Sequence, residues 1–257
     1  MYLKGWKYEG RKIGDKLHEQ MLEIIEILND TDKVGDKNWP QLQTFIASEL
    51  GVATGQVRTI KRMMEEFSIV KKGALNANSV PNPNEIYTMQ GETLVKLLET
   101  EKLMRENPSK DNIELMKEIK CIYQLYYQKV LTAYSYNESG NILHPLRATL
   151  KALKKYDYLN FWEWYIMNTI IKNDDNPEEE VELDRLIKEY RTGELKFKES
   201  DLIENKLSHS YVLGNFEYAG LVLVEGSKLN LKITLNEEFD DVIDEIVRRK
   251  ECLWLKI

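Results

Sequence analysis

The spacing of apolar residues changes several times along the chain, and these changes divide it. Residues 1–14 carry no period: Gly5, Gly10 and Gly14 are interleaved with Trp6, Tyr8 and basic side chains, as in an arm. Leu17, Met21, Ile24, Ile25 and Leu28 then recur on one face of a 3.6-residue period, which predicts a helix over about 15–29. Further helices are predicted over about 38–50 and 54–67. A Lys-Lys-Gly turn, an Asn- and Pro-rich loop at 73–84, a short strand Ile86-Tyr87-Thr88-Met89 and a helix opening near Gly91 follow. Three helices and then strand, loop and strand is the order of a winged helix.

A tyrosine-rich connector, helical over about 110–135, ends at the polar turn NESGN. The same logic then returns. Helices are predicted over about 142–156, 160–172, 177–191 and 200–218. Leu221-Val222-Leu223-Val224, the turn Glu225-Gly226 and Leu229-Asn230-Leu231-Lys232-Ile233 read as a β-hairpin, and a closing helix is predicted over about 237–250. The expected fold is therefore mainly α with small β wings: two winged-helix (helix-turn-helix) subdomains joined by a helical linker. The expected organisation is an N-terminal arm over 1–14, subdomain 1 over 15–106, the linker over 107–141 and subdomain 2 over 142–257.

Residues 46–60, IASELGVATGQVRTI, carry the clearest local signal. Two helices that cross closely need a small residue at the crossing, here Ala47. The turn between them needs a left-handed backbone, which Gly51 adopts without the penalty of about 1 kcal/mol or more that other residues incur. Ile46, Leu50, Val52, Val57 and Ile60 lock the second helix onto the first. With Val57, Ile60, Met64 and Phe67 turned inward, Thr54, Gln56, Arg58, Thr59, Lys61 and Arg62 are left for another surface. These side chains suit DNA: Arg pairs with guanine, Gln with adenine, and Lys with phosphate. In subdomain 2 the helix at 200–218 offers Asn205, Lys206, Ser208, His209 and Ser210. In the arm, Lys4, Trp6, Lys7, Arg11 and Lys12 make a locally basic segment, expected to be mobile until it orders on DNA, with Trp6 anchoring it against the first module.

Composition changes this picture only in part. The 257 residues suffice for one large or two small domains, and 42% are hydrophobic. The net charge of −7 opposes a polyanion, but its acidic runs lie at 174–189 and 237–245, away from the arm and the helix-turn-helix. No stretch is apolar enough for a membrane helix and the N-terminus has no signal-peptide pattern, so a cytoplasmic protein without a membrane partner is expected. Cys121 and Cys252 are expected to be reduced packing thiols. His18, His144 and His209 lack the spacing of metal ligands. The tyrosines of 123–136 and the run Phe161-Trp162-Glu163-Trp164-Tyr165 are expected to pack helices.

Several segments resemble the recognition half of FokI-like and AlwI-like type IIS restriction endonucleases. GWKYEGRK resembles the N-terminal arm of FokI. IYTMQGETLVKLL resembles the junction of wing and helix in both groups. NILHPLRATLKALKK, and NFEYAGLVLVEGSKLNLKI with the acidic DDVIDEIV after it, resemble the second module of the AlwI group. The resemblance spans nearly the whole chain in order. It implies recognition of double-stranded DNA at an asymmetric site, with cleavage by a C-terminal or separate domain that carries Mg²⁺; this chain itself would hold no cofactor. Such a cleavage site has the pattern PD-(D/E)xK. Glu118-Ile119-Lys120 falls in a helical run, and Glu194-Leu195-Lys196 has Asp174 and Asp175 upstream but no buried strand to carry them, so no catalytic residue is assigned. A winged-helix transcriptional regulator and a winged-helix protein-interaction module remain alternative readings.

Overall fold

The computed structural model describes residues 1–6, 10–138, 140–203 and 206–248. It is mainly helical, with two small antiparallel sheets. The contacts divide the described residues into two compact units. Residues 10–125 form one, and residues 1–6 with 126–248 form the other. The sequence placed residues 1–14 in a separate arm and gave 107–141 to a linker. The helix expected over about 110–135 is present as α7 (Lys110–Ala133), but it is shared between the units, which divide between Leu125 and Tyr126.

The first unit contains α1 (Asp15–Asn29), α2 (Thr31–Val34), α3 (Trp39–Glu49), α4 (Thr54–Glu66), α5 (Pro83–Ile86) and α6 (Met89–Glu106) before α7 begins. Asn38 starts α3 with a reciprocal cap: its side chain accepts from Gln41 N, and the Gln41 side chain accepts from Asn38 N. Leu17, Met21, Ile24, Ile25 and Leu28 are all buried on α1, the face that the sequence period marked. The strand expected at 86–89 is not formed. Asn82 caps a short helix that ends at Ile86, and Thr88 already caps α6. Only Tyr87 pairs, in an isolated antiparallel bridge to Val70. Close packing enforces Gly91 in the first turn of α6: a Cβ there would lie 1.9 Å from the Ile69 carbonyl oxygen. Thr88 Oγ1 accepts from Gly91 N and donates to Ser68 O, fixing α6 to the segment after α4.

A buried polar cluster joins α1, α6 and α7. Tyr123 Oη donates to Glu101 at 2.8 Å, Arg105 donates to its other oxygen at 2.6 Å, and His18 Nδ1 lies 3.8 Å away. Burial alone would raise the Glu101 carboxyl, but the hydrogen bonds from Tyr123 and Arg105, with His18 close by, outweigh it and lower the pKa to about 2.

The second unit contains β1 (Tyr136–Glu138), β2 (Asn141–Leu143), α8 (Pro145–Tyr156), β3 (Tyr158–Asn160), α9 (Phe161–Ile170), α10 (Pro177–Thr192), α11 (Lys206–Tyr218), β4 (Val222–Glu225), β5 (Lys232–Leu235) and α12 (Asp240–Arg248). β1 and β2 form a hairpin, so the helix expected from residue 142 starts only at Pro145. β4 and β5 pair as the alternation predicted. β3, which the sequence pattern missed, joins the outer side of β5 to give the order β3-β5-β4, with Leu159 opposite Ile233 and Ile233 opposite Val224. Gly226 makes the turn after β4 possible, since its φ is +72° and a Cβ would meet Asn230 O at 2.3 Å. Trp164 and Tyr165 are core residues, as expected, and Tyr127 is buried against the Tyr218 ring. Cys121, expected to pack, is exposed on α7 instead; Cys252 lies outside the described residues.

Residues 1–6 correct a further expectation. They are an integral part of the second unit rather than a mobile arm. Leu3 is fully buried and bridges Leu202, with its N–H donated to Asp201 O and its carbonyl accepting from Ile203 N. Lys4 N donates to Thr169 Oγ1, and Trp6 N donates to Asn168 Oδ1. The Trp6 indole is 2% exposed, sits edge-on to Trp164 and donates Nε1 to Ile171 O at 2.9 Å. The segment lacks a period because scattered partners, the main chain of residues 201 and 203 and side chains of α9, satisfy its backbone in place of a regular ladder.

Candidate nucleic-acid interface

Two helices joined by a tight turn make the site. The last turn of α3 closes with Leu50 N donating to Ile46 O. Gly51 follows with φ +61°, and Val52 N donates back to Ala47 O. Ala47 is buried at the crossing, and Gln43 of α3 donates to Thr54 O at the start of α4 at 3.2 Å. Val57, Ile60, Met63 and Met64 are fully buried, so α4 is held by one apolar side. Thr54, Gln56 and Arg58 are exposed at its N-terminal end.

The six expected residues of α4 are thus on one short helix but in unequal states. Among the described residues no ion pair or hydrogen bond engages the Arg58 guanidinium, which can reach outward. Thr59 Oγ1 donates to Gly55 O within the helix. Lys61 is half-buried and pairs with Glu65 at 2.8 Å, and Arg62 lies 3.4 Å from Glu66. Lys61 and Arg62 are therefore already neutralised along the helix, which the type of residue alone did not reveal.

The residues expected from the arm separate. Lys4 and Trp6 belong to the second unit. Trp6 is buried, which makes it a core residue and not a surface for a ligand. Arg11 belongs to the first unit, where its backbone N–H meets Met63 Sδ and its guanidinium donates to Gln20. Lys12 is exposed there. Lys7 and Asn205 lie outside the described residues. Lys206, Ser208 and His209 are in the first turns of α11, and Ser210 is exposed on the same helix.

A further basic feature, not apparent from the residue pattern, lies beside α4. Lys71 and Lys72 are exposed, and among the described residues neither side chain has an ion-pair partner. They stand in the turn after α4, where Gly73 has φ +80° and donates its N–H to Glu65 Oε1 at 2.9 Å. The Lys-Lys-Gly run was visible as a turn; its attachment to α4 was not, because it depends on one carboxylate eight residues upstream.

Of the acidic residues near E-x-K spacing, Asp174 and Asp175 are tied to Arg147. Asp174 is buried, accepts from His144 N at 2.9 Å, lies 3.1 Å from His144 Nδ1 and pairs with Arg147 at 3.0 Å. Burial pushes its carboxyl up, but His144 and Arg147 more than offset this and hold it below the usual range. Arg147 also pairs with Asp175 at 2.8 Å. Glu194 and Lys196 are exposed after α10, and Glu118 and Lys120 lie in α7. Among the described residues no three His, Cys, Asp or Glu side chains form a group that could hold a metal ion. No helix among them is long and apolar enough to cross a membrane.

Neither the known protein-family models nor the curated protein sequences contain a match to this chain.

Proposed function

We propose that the chain recognises double-stranded DNA through α4, as the target-recognition part of a type IIS-like restriction endonuclease. The observation that carries this reading is the helix-turn-helix itself. A left-handed Gly51 joins α3 to α4, one side of α4 is locked into the core, and Thr54, Gln56 and Arg58 stand exposed at the end of the helix that enters a groove in such motifs. Gln56 and Arg58, on either side of the buried Val57, are side-chain types able to make bidentate contacts to adenine and guanine.

The second unit supports a second reading head. Its order of helix, strand, helices and hairpin, with the early strand added to the hairpin, is the arrangement expected of a winged helix, with α11 leading into the wing. Two unlike units in one chain suit an asymmetric target better than the palindrome a symmetric dimer would read. The FokI-like and AlwI-like resemblance adds the expectation that cleavage, with its Mg²⁺, belongs to another domain.

The test is selection of bound sequences from a random duplex pool, followed by titration of the enriched site. Arg58→Ala should cost about 1–3 kcal/mol and relax preference at one base pair. Failure to enrich any sequence, with binding insensitive to salt, sinks the reading.

A further inference from the structure

Lys71 and Lys72 stand on a backbone that is fixed on both sides. Before them, Val70 bridges Tyr87, and Lys71 N donates to Ile86 O at 2.7 Å. After them, Gly73 N donates to Glu65 Oε1, and Ala74 N closes the turn onto Lys71 O. The loop beyond is docked on the start of α3, where Trp39 N donates to Asn76 O and Asn38 Nδ2 to Ala77 O, each at 3.1 Å. Two exposed ammonium groups are thereby presented by an ordered turn, so little backbone entropy is lost when they meet a ligand.

Their position relative to Arg58 is also set. Arg58 and Glu65 are seven residues apart, so they lie along one side of α4 about 10 Å from each other. Glu65 holds the turn, which brings the lysines to the far end of the side that Arg58 occupies. That separation is comparable to the roughly 12 Å width of the DNA major groove. With Arg58 at base edges, cations presented from the turn that Glu65 holds, further along the same side of the helix, are placed to meet phosphates that border the groove. The same Glu65 oxygen takes up the Lys61 charge at 2.8 Å, so Lys61 is occupied where Lys71 and Lys72 are available.

We propose that Lys71 and Lys72 form a phosphate clamp for duplex DNA beside α4, and that Glu65 is the positioning residue that holds the clamp in place. This rests on the DNA reading above. The probe is a random-sequence duplex of about 30 bp, titrated from about 50 to 200 mM salt by fluorescence anisotropy, with the full chain. Lys71→Ala with Lys72→Ala should lower the slope of log K against log salt by about two and leave the melting curve unchanged. The same pair of substitutions made in Glu65→Ala should remove much less than two, because the turn is no longer held. Made in Glu65→Gln, whose amide oxygen still accepts from Gly73 N, they should again remove about two. An unchanged slope in the lysine variant overturns the clamp. Equal losses in Glu65→Ala and in the parent overturn the role of Glu65. If the parent chain itself does not bind the duplex, the DNA reading fails first, and this result differs from a parent that binds with a slope the lysines do not alter.

Discussion

Replacing Trp6 by Ala separates two roles for the N-terminal segment, contact with DNA and completion of a core. The indole is 2% exposed, meets the Trp164 ring edge-on with centroids 5.7 Å apart, and donates to Ile171 O. Truncating a buried tryptophan to alanine costs about 3–5 kcal/mol in transfer and cavity terms. Leaving the Ile171 carbonyl unpaired adds about 1–3 kcal/mol where water cannot reach it. These terms overlap, so about 4–5 kcal/mol is expected, a large share of the stability of a domain of this size. In urea denaturation followed by tryptophan fluorescence, the second unit of the variant should unfold at a much lower midpoint, while the first unit keeps its transition. Trp6→Phe keeps most of the apolar burial but has no N–H, and should lose only about 1–3 kcal/mol. A Trp6→Ala variant with parental stability but reduced DNA affinity would refute the packing role and restore the view of an arm that waits for its ligand.

Other outcomes follow from single contacts. Gly91→Ala places a methyl group against the Ile69 carbonyl, so α6 must shift, and a loss of about 1–3 kcal/mol should appear in thermal melting of the first unit. Arg191→Ala leaves Glu163, which is 0% exposed, with Asn160 N but without its cationic partner; about 3 kcal/mol should be lost in urea titrations, and adding Glu163→Gln should recover part of it. The Glu101 carboxyl titrates near 2 in the folded chain against an ordinary value of 4.5, so the stability it contributes is complete above about pH 4.5 and is lost as pH falls towards 2. Stability measured across that range should therefore decline less steeply in Glu101→Gln than in the parent.

The parts of the fold that were legible in the sequence are those fixed by local periodicity and turn chemistry. The buried face of α1, the Gly51 turn, the apolar side of α4 and the β4–β5 hairpin all follow from spacings within about a dozen residues. What was illegible depends on distant partners. Residues 1–6 look like a tail because their order comes from Asn168, Thr169 and Ile171, more than 160 residues away. β3 is three residues long and ends at the Asn160 cap of α9, too short for alternation to register, and it becomes a strand only against β5. The stretch 86–89 is apolar enough to resemble a strand, but the Asn82 and Thr88 caps draw its two ends into helices.

The same distinction governs the candidate site. Residue type nominated six positions on α4, and type does not record which cations are already paired. Glu65 and Glu66, at four-residue spacing from Lys61 and Arg62, take up those two charges within the helix. That spacing is present in the sequence, and counting it would have singled out Arg58. On the DNA reading, such pairing also accounts for how an acidic chain with a net charge of −7 works on a polyanion. Cations tied to carboxylates contribute little to indiscriminate attraction, and Arg58 with the lysines of the adjoining turn supply charge at defined positions. Glu66→Gln tests this step: releasing Arg62 should steepen the salt dependence of binding to random duplex by up to about one unit without improving discrimination between sites. An unchanged slope would mean that Arg62 does not reach phosphate even when its partner is neutral, and that the charge balance of α4 has no part in suppressing non-specific binding.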